Sequence, residues 1–241
     1  MLDIPIQNIL FLDIETVSQQ SSFDELPETW QSLWQKKASA LLRNSVEDSP
    51  ESIYGRAAIY AEFGKIICIS CGIVSGNGID RKIVLKSFYG EDEKALLEEF
   101  REMIIKWSSG AQRWLCAHNG KEFDFPYLCR RLIVHHLTIP SILQLAGKKP
   151  WDVNHLDTME LWKFGDYKSF TSLNLLAHVL GIPTPKDDID GSMVGHVYWT
   201  EKDLARIVTY CQKDVVTVAQ VYLRLQGESL IPAENIELRE Q

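Results

Sequence analysis

The chain has 241 residues and a mass of 27.6 kDa, with 45% apolar and 24% charged residues, ordinary values for a globular protein whose length favours one large α/β domain. Asp and Glu number 33 against 25 Lys and Arg, a net charge of −8, which argues against a scaffold that wraps duplex DNA through a broad basic surface. An enzyme that holds a short strand in one groove through bound metal ions stays compatible with that balance, because the ions dominate the local charge.

The opening residues, MLDIPIQNILFLDIE, have no basic segment and carry Asp3 inside the apolar stretch, which does not fit a signal peptide. Residues 8–13 read as a buried strand, a short apolar run with a polar end. Residues 18–63 then interrupt the sheet pattern. Leu26, Trp30, Leu33, Trp34 and Leu41 recur at helical spacing, and Ser49-Pro50-Glu51 predicts a second helix, with an N-cap followed by proline at the first helical position, ending near Gly64. A strongly apolar strand follows at 64–74. Its longest nearly unbroken apolar run, 66–74, has nine residues, about half of the ~18 that suggest a membrane span. A second strand is expected at 82–88, with Asn77-Gly78 as a hairpin signal between the two.

Residues 91–107 form an amphipathic helix on Leu96, Leu97, Phe100, Met103, Ile104 and Trp107. A strand at 114–117, a helix at 127–135 and a short strand at 156–158 come next. A helix at 172–180 is stopped by Gly181 and Pro183, and the last helix runs over 201–226. There is no repeat, charge run or flexible linker. A hairpin followed by strands alternating with helices implies a mixed sheet flanked by helices, within a single domain over 1–241 that carries 18–63 as a helical insertion. The five cysteines (Cys68, Cys71, Cys116, Cys129 and Cys211) are odd in number and mostly in apolar contexts, which suits a reducing cytoplasm better than a disulfide framework.

Three carboxylate motifs stand in this frame. Asp13-Ile-Glu15 lies at the end of the first strand, where side chains two apart share a face. Two anions side by side on an apolar strand repel, which makes sense if a cation sits between them. Asn119-Gly-Lys-Glu-Phe123-Asp124 places Asp124 where a loop enters a helix, near the positive end of its dipole. Tyr210-Cys-Gln-Lys-Asp214 puts a phenol and a carboxylate on one face of the last helix. Taken singly, these fit a solvated strand end, a capping aspartate, and a half-buried tyrosine beside a surface aspartate.

Taken in order, the strings DIET, NGKEFD and YCQKD resemble the DEDD 3′–5′ exonucleases of the ribonuclease-H-like superfamily, in the branch with tyrosine before the last aspartate. HNGKEFDFPYL and YCQKDV look most like the exonuclease domain of family-B DNA polymerases. The resemblance spans Asp13 to Asp214 and implies a mixed five-stranded sheet flanked by helices. It implies that Asp13, Glu15, Asp124 and Asp214 bind two divalent cations, Mg²⁺ or Mn²⁺. Tyr210 then orients the attacking water. Asn119, Phe123 and the main chain near Thr16 position the terminal nucleotide, and His118 adjoins them as a phosphate contact.

The implied activity is hydrolysis at the 3′ end of a single strand, releasing nucleoside monophosphates. DNA is favoured because the strings resemble DNA polymerase domains, with an exoribonuclease as the alternative within the class. Nothing resembling palm or fingers follows Gln241, so proofreading is expected in trans, with a polymerase or helicase as partner. The alternative from another class is a non-catalytic nucleic-acid-binding module. It has no need of a self-repelling anionic cluster.

Other residues receive plainer readings. Cys68 and Cys71 have CxxC spacing but sit three apart on a strand, on opposite faces. Asp157 reads as a structural group and not a metal ligand, and Asp188 and Asp190 as loop carboxylates. His135, His136, His155, His178 and His196 show no ligand spacing to one another. Trp30 and Trp34 are expected to pack the insertion onto the core rather than to stack bases. Lys148, Lys149 and Trp151, with Arg130, Arg131 and Lys121, form a candidate lining for a strand groove. No P-loop or dinucleotide fingerprint is present.

Overall fold

The computed structural model describes residues 4–43, 48–166, 168, 170–183 and 189–239. Its centre is β1 (Ile9–Ser18), a ten-residue strand whose side chains alternate between two cores. Leu10, Leu12 and Ile14 face one core. Ile9 and Phe11 face the other. The sheet order is β5-β4-β1-β2-β3-β6, with β2 (Gly64–Ser75), β3 (Lys82–Tyr89), β4 (Trp114–Ala117), β5 (Leu156–Asp157) and β6 (Ile236–Leu238). The β1–β2 and β2–β3 pairs are antiparallel, and the β1–β4, β4–β5 and β3–β6 pairs are parallel. This is the mixed sheet that the alternation of patterns implies.

On one face lie α2 (Glu93–Ser108) and α3 (Asp124–Val134), through Leu96, Phe100, Ile104, Leu128 and Leu132. The other face is covered by α7 (Leu204–Leu225), which buries Val215, Val218, Ala219 and Tyr222 against Phe11, Ile83 and Leu85. Each of the buried Val, Ile, Leu and Phe side chains contributes about 1.5–3 kcal/mol. Short helices α4 (Thr158–Lys163), α5 (Leu173–Val179) and α6 (Val194–His196) lead into α7. Among the described residues no helix is long and apolar enough to cross a membrane.

Four departures from the sequence expectation matter most. Smaller ones are the start of α3 at Asp124 instead of 127 and the unexpected α4, which begins at Thr158, the last residue of the expected strand. The sheet has six strands, not five. The three residues of β6 carry no apolar run, and only the pairing with β3 and the Arg239 N–H to Leu85 carbonyl bond (2.8 Å) define it. β1 continues to Ser18, so Asp13 and Glu15 lie mid-strand although carboxylates are depleted there.

In the insertion, α1 (Glu28–Leu41) forms as expected, but residues 50–64 do not make an α-helix. The Ser49 hydroxyl does accept the Ser52 N–H (3.2 Å), yet Tyr54–Ile59 winds as a short 3₁₀ helix containing Gly55. The fourth departure is that α7 starts at Leu204, because Val197–Glu201 forms a π turn closed by Lys202 at φ +58°. Trp34 is fully buried, its indole N–H donating to the Pro50 carbonyl at 2.7 Å with Tyr54 and Phe63 edge-on. Trp34 is thus buried rather than a stacking platform, but it packs the insertion's own cluster with Phe23, Leu26 and Tyr54 and not the cores of the sheet.

Candidate active site

On β1 the positions after Ile9 and Phe11 on the α7 face are Asp13, Glu15 and Val17. Two carboxylates therefore interrupt an apolar row beneath a helix. Glu15 is 7% exposed and accepts no hydrogen bond among the described residues. Across from it, β2 bulges. Glu15 pairs with Cys68 while Thr16 pairs with Ile66, which leaves Ile67 as the extra residue.

Above them α7 carries Tyr210, Cys211 and Asp214 on the sheet-facing side. The Cys211 thiol lies 3.4 Å from Asp13 Oδ2 and 3.5 Å from the Asp13 carbonyl oxygen, as donor. The Tyr210 hydroxyl hydrogen-bonds Asp214. Asp124 enters from the third side as the first residue of α3, 3% exposed, with the Ile14 N–H donating to it. Pro126 does not delay α3, since an N–H in the first turn has no intrahelical partner to lose.

The electrostatics follow from burying like charges together. Burial holds Asp13 well above the usual carboxylate range, and the Glu15, Asp214 and Asp124 charges push it further. Glu15 is raised in the same way, by burial and then by Asp214 and, more weakly, Asp124. Burial lifts Asp124 to about 7, against two backbone N–H groups that pull it down. Tyr210 is raised by burial and by Asp214, Glu15 and Asp13, so its hydroxyl stays protonated. Four oxygen-donor carboxylates gathered in one place, with Asp13, Glu15 and Asp124 raised and Glu15 lacking a donor among the described residues, fit hard divalent cations. The one feature foreign to that chemistry is Cys211, whose Sγ lies within 4.8 Å of ligand oxygens of both Asp13 and Glu15. Burial pushes this thiol well up, so it is a neutral neighbour of Asp13. Sequence reasoning passed it over, and its place between Tyr210 and Asp214 on one helix turn is the signal that finds it.

The remaining expected residues divide. Asn119 takes a left-handed conformation at φ +63°, and its N–H donates to Asp157 Oδ1 at 3.0 Å. The Lys121 N–H reaches Asp157 Oδ2 at 3.1 Å. Asp157 also caps α4 through Met159 and Glu160, so it pins the 119–121 turn to that helix, a structural task. Gly120 is required there, because a Cβ would come 2.4 Å from the Ala117 Cβ. Asn119 Oδ1 is buried without a partner at this turn, and Phe123 rests against Tyr127 with ring centroids 5.4 Å apart.

His118 differs from expectation. Its Nδ1 pairs with Thr158 Oγ1 at 2.9 Å and its Nε2 with the Thr171 carbonyl at 2.8 Å. Burial lowers its pKa. A neutral ring with both nitrogens engaged offers no donor to a phosphate. The Thr16 side chain hydrogen-bonds the Tyr127 hydroxyl on the opposite face of the sheet.

The candidate groove lining does not assemble either. Arg131 is buried in an ion pair with Glu93 and Lys121 pairs with Glu160 at 2.7 Å, while Trp151 is exposed with Lys149 over its ring. Cys68 and Cys71 face opposite cores, as strand geometry requires. Asp188 lies outside the described residues.

The fold is similar to that of the family-B DNA polymerase from the hyperthermophilic archaeon Pyrobaculum calidifontis, with a TM-score of 0.51 and 14% identity over 91% of this chain. The chain spans 25% of that polymerase's length. No curated protein matches the sequence. A family model described as a "predicted 3′–5′ exonuclease related to the exonuclease domain of PolB" matches residues 59–230, well over half of the chain and inclusive of Asp124, Tyr210 and Asp214. The chain belongs to this family of predicted 3′–5′ exonucleases related to the exonuclease domain of PolB.

Proposed function

We propose that the chain is an active 3′–5′ exonuclease domain over 1–241 that removes nucleoside monophosphates from single-stranded nucleic acid, DNA in preference to RNA. The observation that carries this is the convergence of Asp13, Glu15, Asp124 and Asp214 beside the Tyr210 hydroxyl, with Glu15 buried and lacking a donor among the described residues. A carboxylate buried among its own kind is a standing electrostatic penalty unless something cationic joins it. Asp13, Glu15, Asp124 and Asp214 would hold two divalent cations, Mg²⁺ or Mn²⁺. When bound, these ions lower the pKa of water and stabilise the charge that develops on the leaving oxygen.

The chain's own groups do the rest. Tyr210, protonated and hydrogen-bonded to Asp214, orients the attacking water through its hydroxyl. The turn pinned by Asp157 holds Asn119 in its left-handed conformation, and this residue is assigned to positioning the terminal nucleotide. The Cys211 thiol restrains the Asp13 carboxylate. The DNA preference is supported by the family's relation to polymerase domains, and a polymerase or helicase in trans is the partner it suggests. Five free cysteines suit a reducing cytoplasm.

The test is product analysis. A 5′-labelled single-stranded DNA with Mn²⁺ is expected to give a ladder shortening from its 3′ end, faster than the matching RNA. EDTA should stop it and circular DNA should resist. Circles cut as fast as linear strands would replace the exonuclease by an endonuclease, and no cleavage of any strand would leave only the binding module.

A further inference from the structure

Beyond Glu15, the next side chain on the same face of β1 is Val17, about 7 Å along at ordinary strand rise. Val17 pairs with Lys65 of β2. The bulge decides which way that lysine points. Under strict alternation, Cys68 on the α7 face would put Ile66 there and turn Lys65 to the other face. Because Ile67 is the extra residue, Ile66 instead joins the core under α2, and Ile67 faces α7 beside Val17. Lys65, two residues from Ile67, therefore emerges on the carboxylate face.

There its Nζ donates to the Tyr198 hydroxyl at 3.2 Å and stands 5.0 and 4.8 Å from the ring centroids of Tyr198 and Trp199. Lys202 Nζ lies 5.2 Å from the same Trp199 ring. It projects from the left-handed residue that closes the π turn, two backbone features that persist where the surrounding structure enforces them. Tyr198 and Trp199 belong to the apolar cluster that also holds Val17 and Tyr210.

Two ammonium groups around one indole repel each other. The neighbouring cation Arg206 is matched by Glu201 at 2.6 Å, and His196 Nε2 lies 3.4 Å from the same carboxylate. Lys65 and Lys202 have no carboxylate partner among the described residues. In a chain of net charge −8, an unmatched cationic pair fixed beside an anionic site calls for an anion.

We propose that Lys65 and Lys202, seated on Tyr198 and Trp199, form a subsite for a backbone phosphodiester of the single strand, upstream of the scissile linkage. This rests on the exonuclease reading and extends it. The subsite holds the part of the strand that is not cut, so it favours longer strands over a dinucleotide, whose only phosphodiester is the scissile one.

The test compares kcat/KM for (dT)₆ and for the dinucleotide with Mn²⁺. It also measures binding of 5′-fluorescein (dT)₁₀ in EDTA by anisotropy across a salt series. Lys65→Gln/Lys202→Gln is expected to cut the hexamer-to-dinucleotide ratio about tenfold or more, the scale of losing charge-assisted hydrogen bonds. The slope of log Kd against log salt should flatten by about 0.7, one phosphate contact on a single strand. Lys65→Arg/Lys202→Arg should keep both. Lys94→Gln, which removes a surface charge paired with Glu98 on α2, should change neither.

An unchanged ratio and slope in the double Gln variant overturn the proposal, and so does an equal loss in Lys94→Gln. If the double variant does not fold by circular dichroism, the exposed Lys202→Gln alone decides. If the wild type cleaves neither substrate, the exonuclease reading fails, and the anisotropy arm still judges the two lysines.

Discussion

Two buried glutamates, one on β1 and one at the start of α2, make opposite arrangements. Glu93, at the start of α2, is 6% exposed and Glu15 is 7% exposed. Glu93 accepts from Arg131 Nε at 2.8 Å and Nη2 at 2.5 Å, from the Ile66 N–H at 2.7 Å, and lies 2.7 Å from His135 Nε2. The Ile66 bond has a clear cause. β3 ends at Tyr89 opposite Cys68, so Ile66 lies past its reach and the carboxylate takes the place of a strand. Arg131 further donates to the Ala61 carbonyl at 2.7 Å, which ties the insertion to α3. Glu15 has no such donor among the described residues, and three other carboxylates surround it. Equal burial thus serves structure in one case and chemistry in the other. What separates the two is whether the protein supplies the counter-charge itself.

The largest effect expected from that contrast is on activity. Asp13→Ala or Asp214→Ala removes a ligand from the unmatched set, and single-turnover cleavage with Mn²⁺ should fall to near background with the fold retained by circular dichroism. Wild-type rates in Asp214→Ala would show that the set does not hold the ions. On stability the order reverses. Glu93→Ala strands a buried Arg131 and should cost about 3–5 kcal/mol in urea unfolding. Glu15→Ala should leave metal-free stability unchanged or higher, since it relieves repulsion. An equal loss in both variants would mean that Glu15 has structural partners and that the contrast is false.

The contrast was half legible in the sequence. Asp13-Ile-Glu15 inside an apolar stretch already says that two anions share a strand face, and the order of the three motifs says which helix and loop supply the others. These signals are local, two or four residues apart on elements of known period. The partners of Glu93 lie 27, 38 and 42 residues away, and no periodicity announces a pairing of that range. The bulge at Ile67 is equally silent, because it is a register shift between strands and leaves no trace in the composition of either. His118 shows the converse failure. Its place beside Asn119 suggests a substrate contact, and only the distant Thr158 and Thr171 reveal that its ring is already used.

Within the site, the roles of ligand and water-positioning group can be told apart by a smaller loss. Tyr210→Phe removes one hydroxyl and leaves the carboxylates in place. A positioning contribution of this kind sits at the low end of about 10²–10⁴-fold, so cleavage should fall about 10²-fold and stay measurable. The melting gain from Mn²⁺ should persist, since no ligand is lost. A Tyr210→Phe protein as dead as Asp214→Ala, or one that no longer gains stability from Mn²⁺, would move Tyr210 from positioning to ion binding.

The mildest test reads the unmatched charge through pH. Burial raises Asp124 from 3.8 to about 7 in the folded chain, and Asp13 and Glu15 move the same way. Between those values the metal-free folded state holds protons that the unfolded chain has released, so its stability falls as pH rises across that window. In EDTA, wild type should therefore lose more stability between pH 5.5 and 7.5 than Asp124→Asn does. The difference should reach several degrees, since 1 kcal/mol moves the melting point of a chain this size by about 2–4 °C. Divalent ions need the deprotonated carboxylates, so the melting gain from Mn²⁺ should be larger at pH 7.5 than at 5.5. At Glu93 the protein supplies the counter-charge, and no metal is expected to bind there. Wild type and Asp124→Asn melting in parallel across this range, with a gain from Mn²⁺ that ignores pH, would place the ions away from the carboxylates.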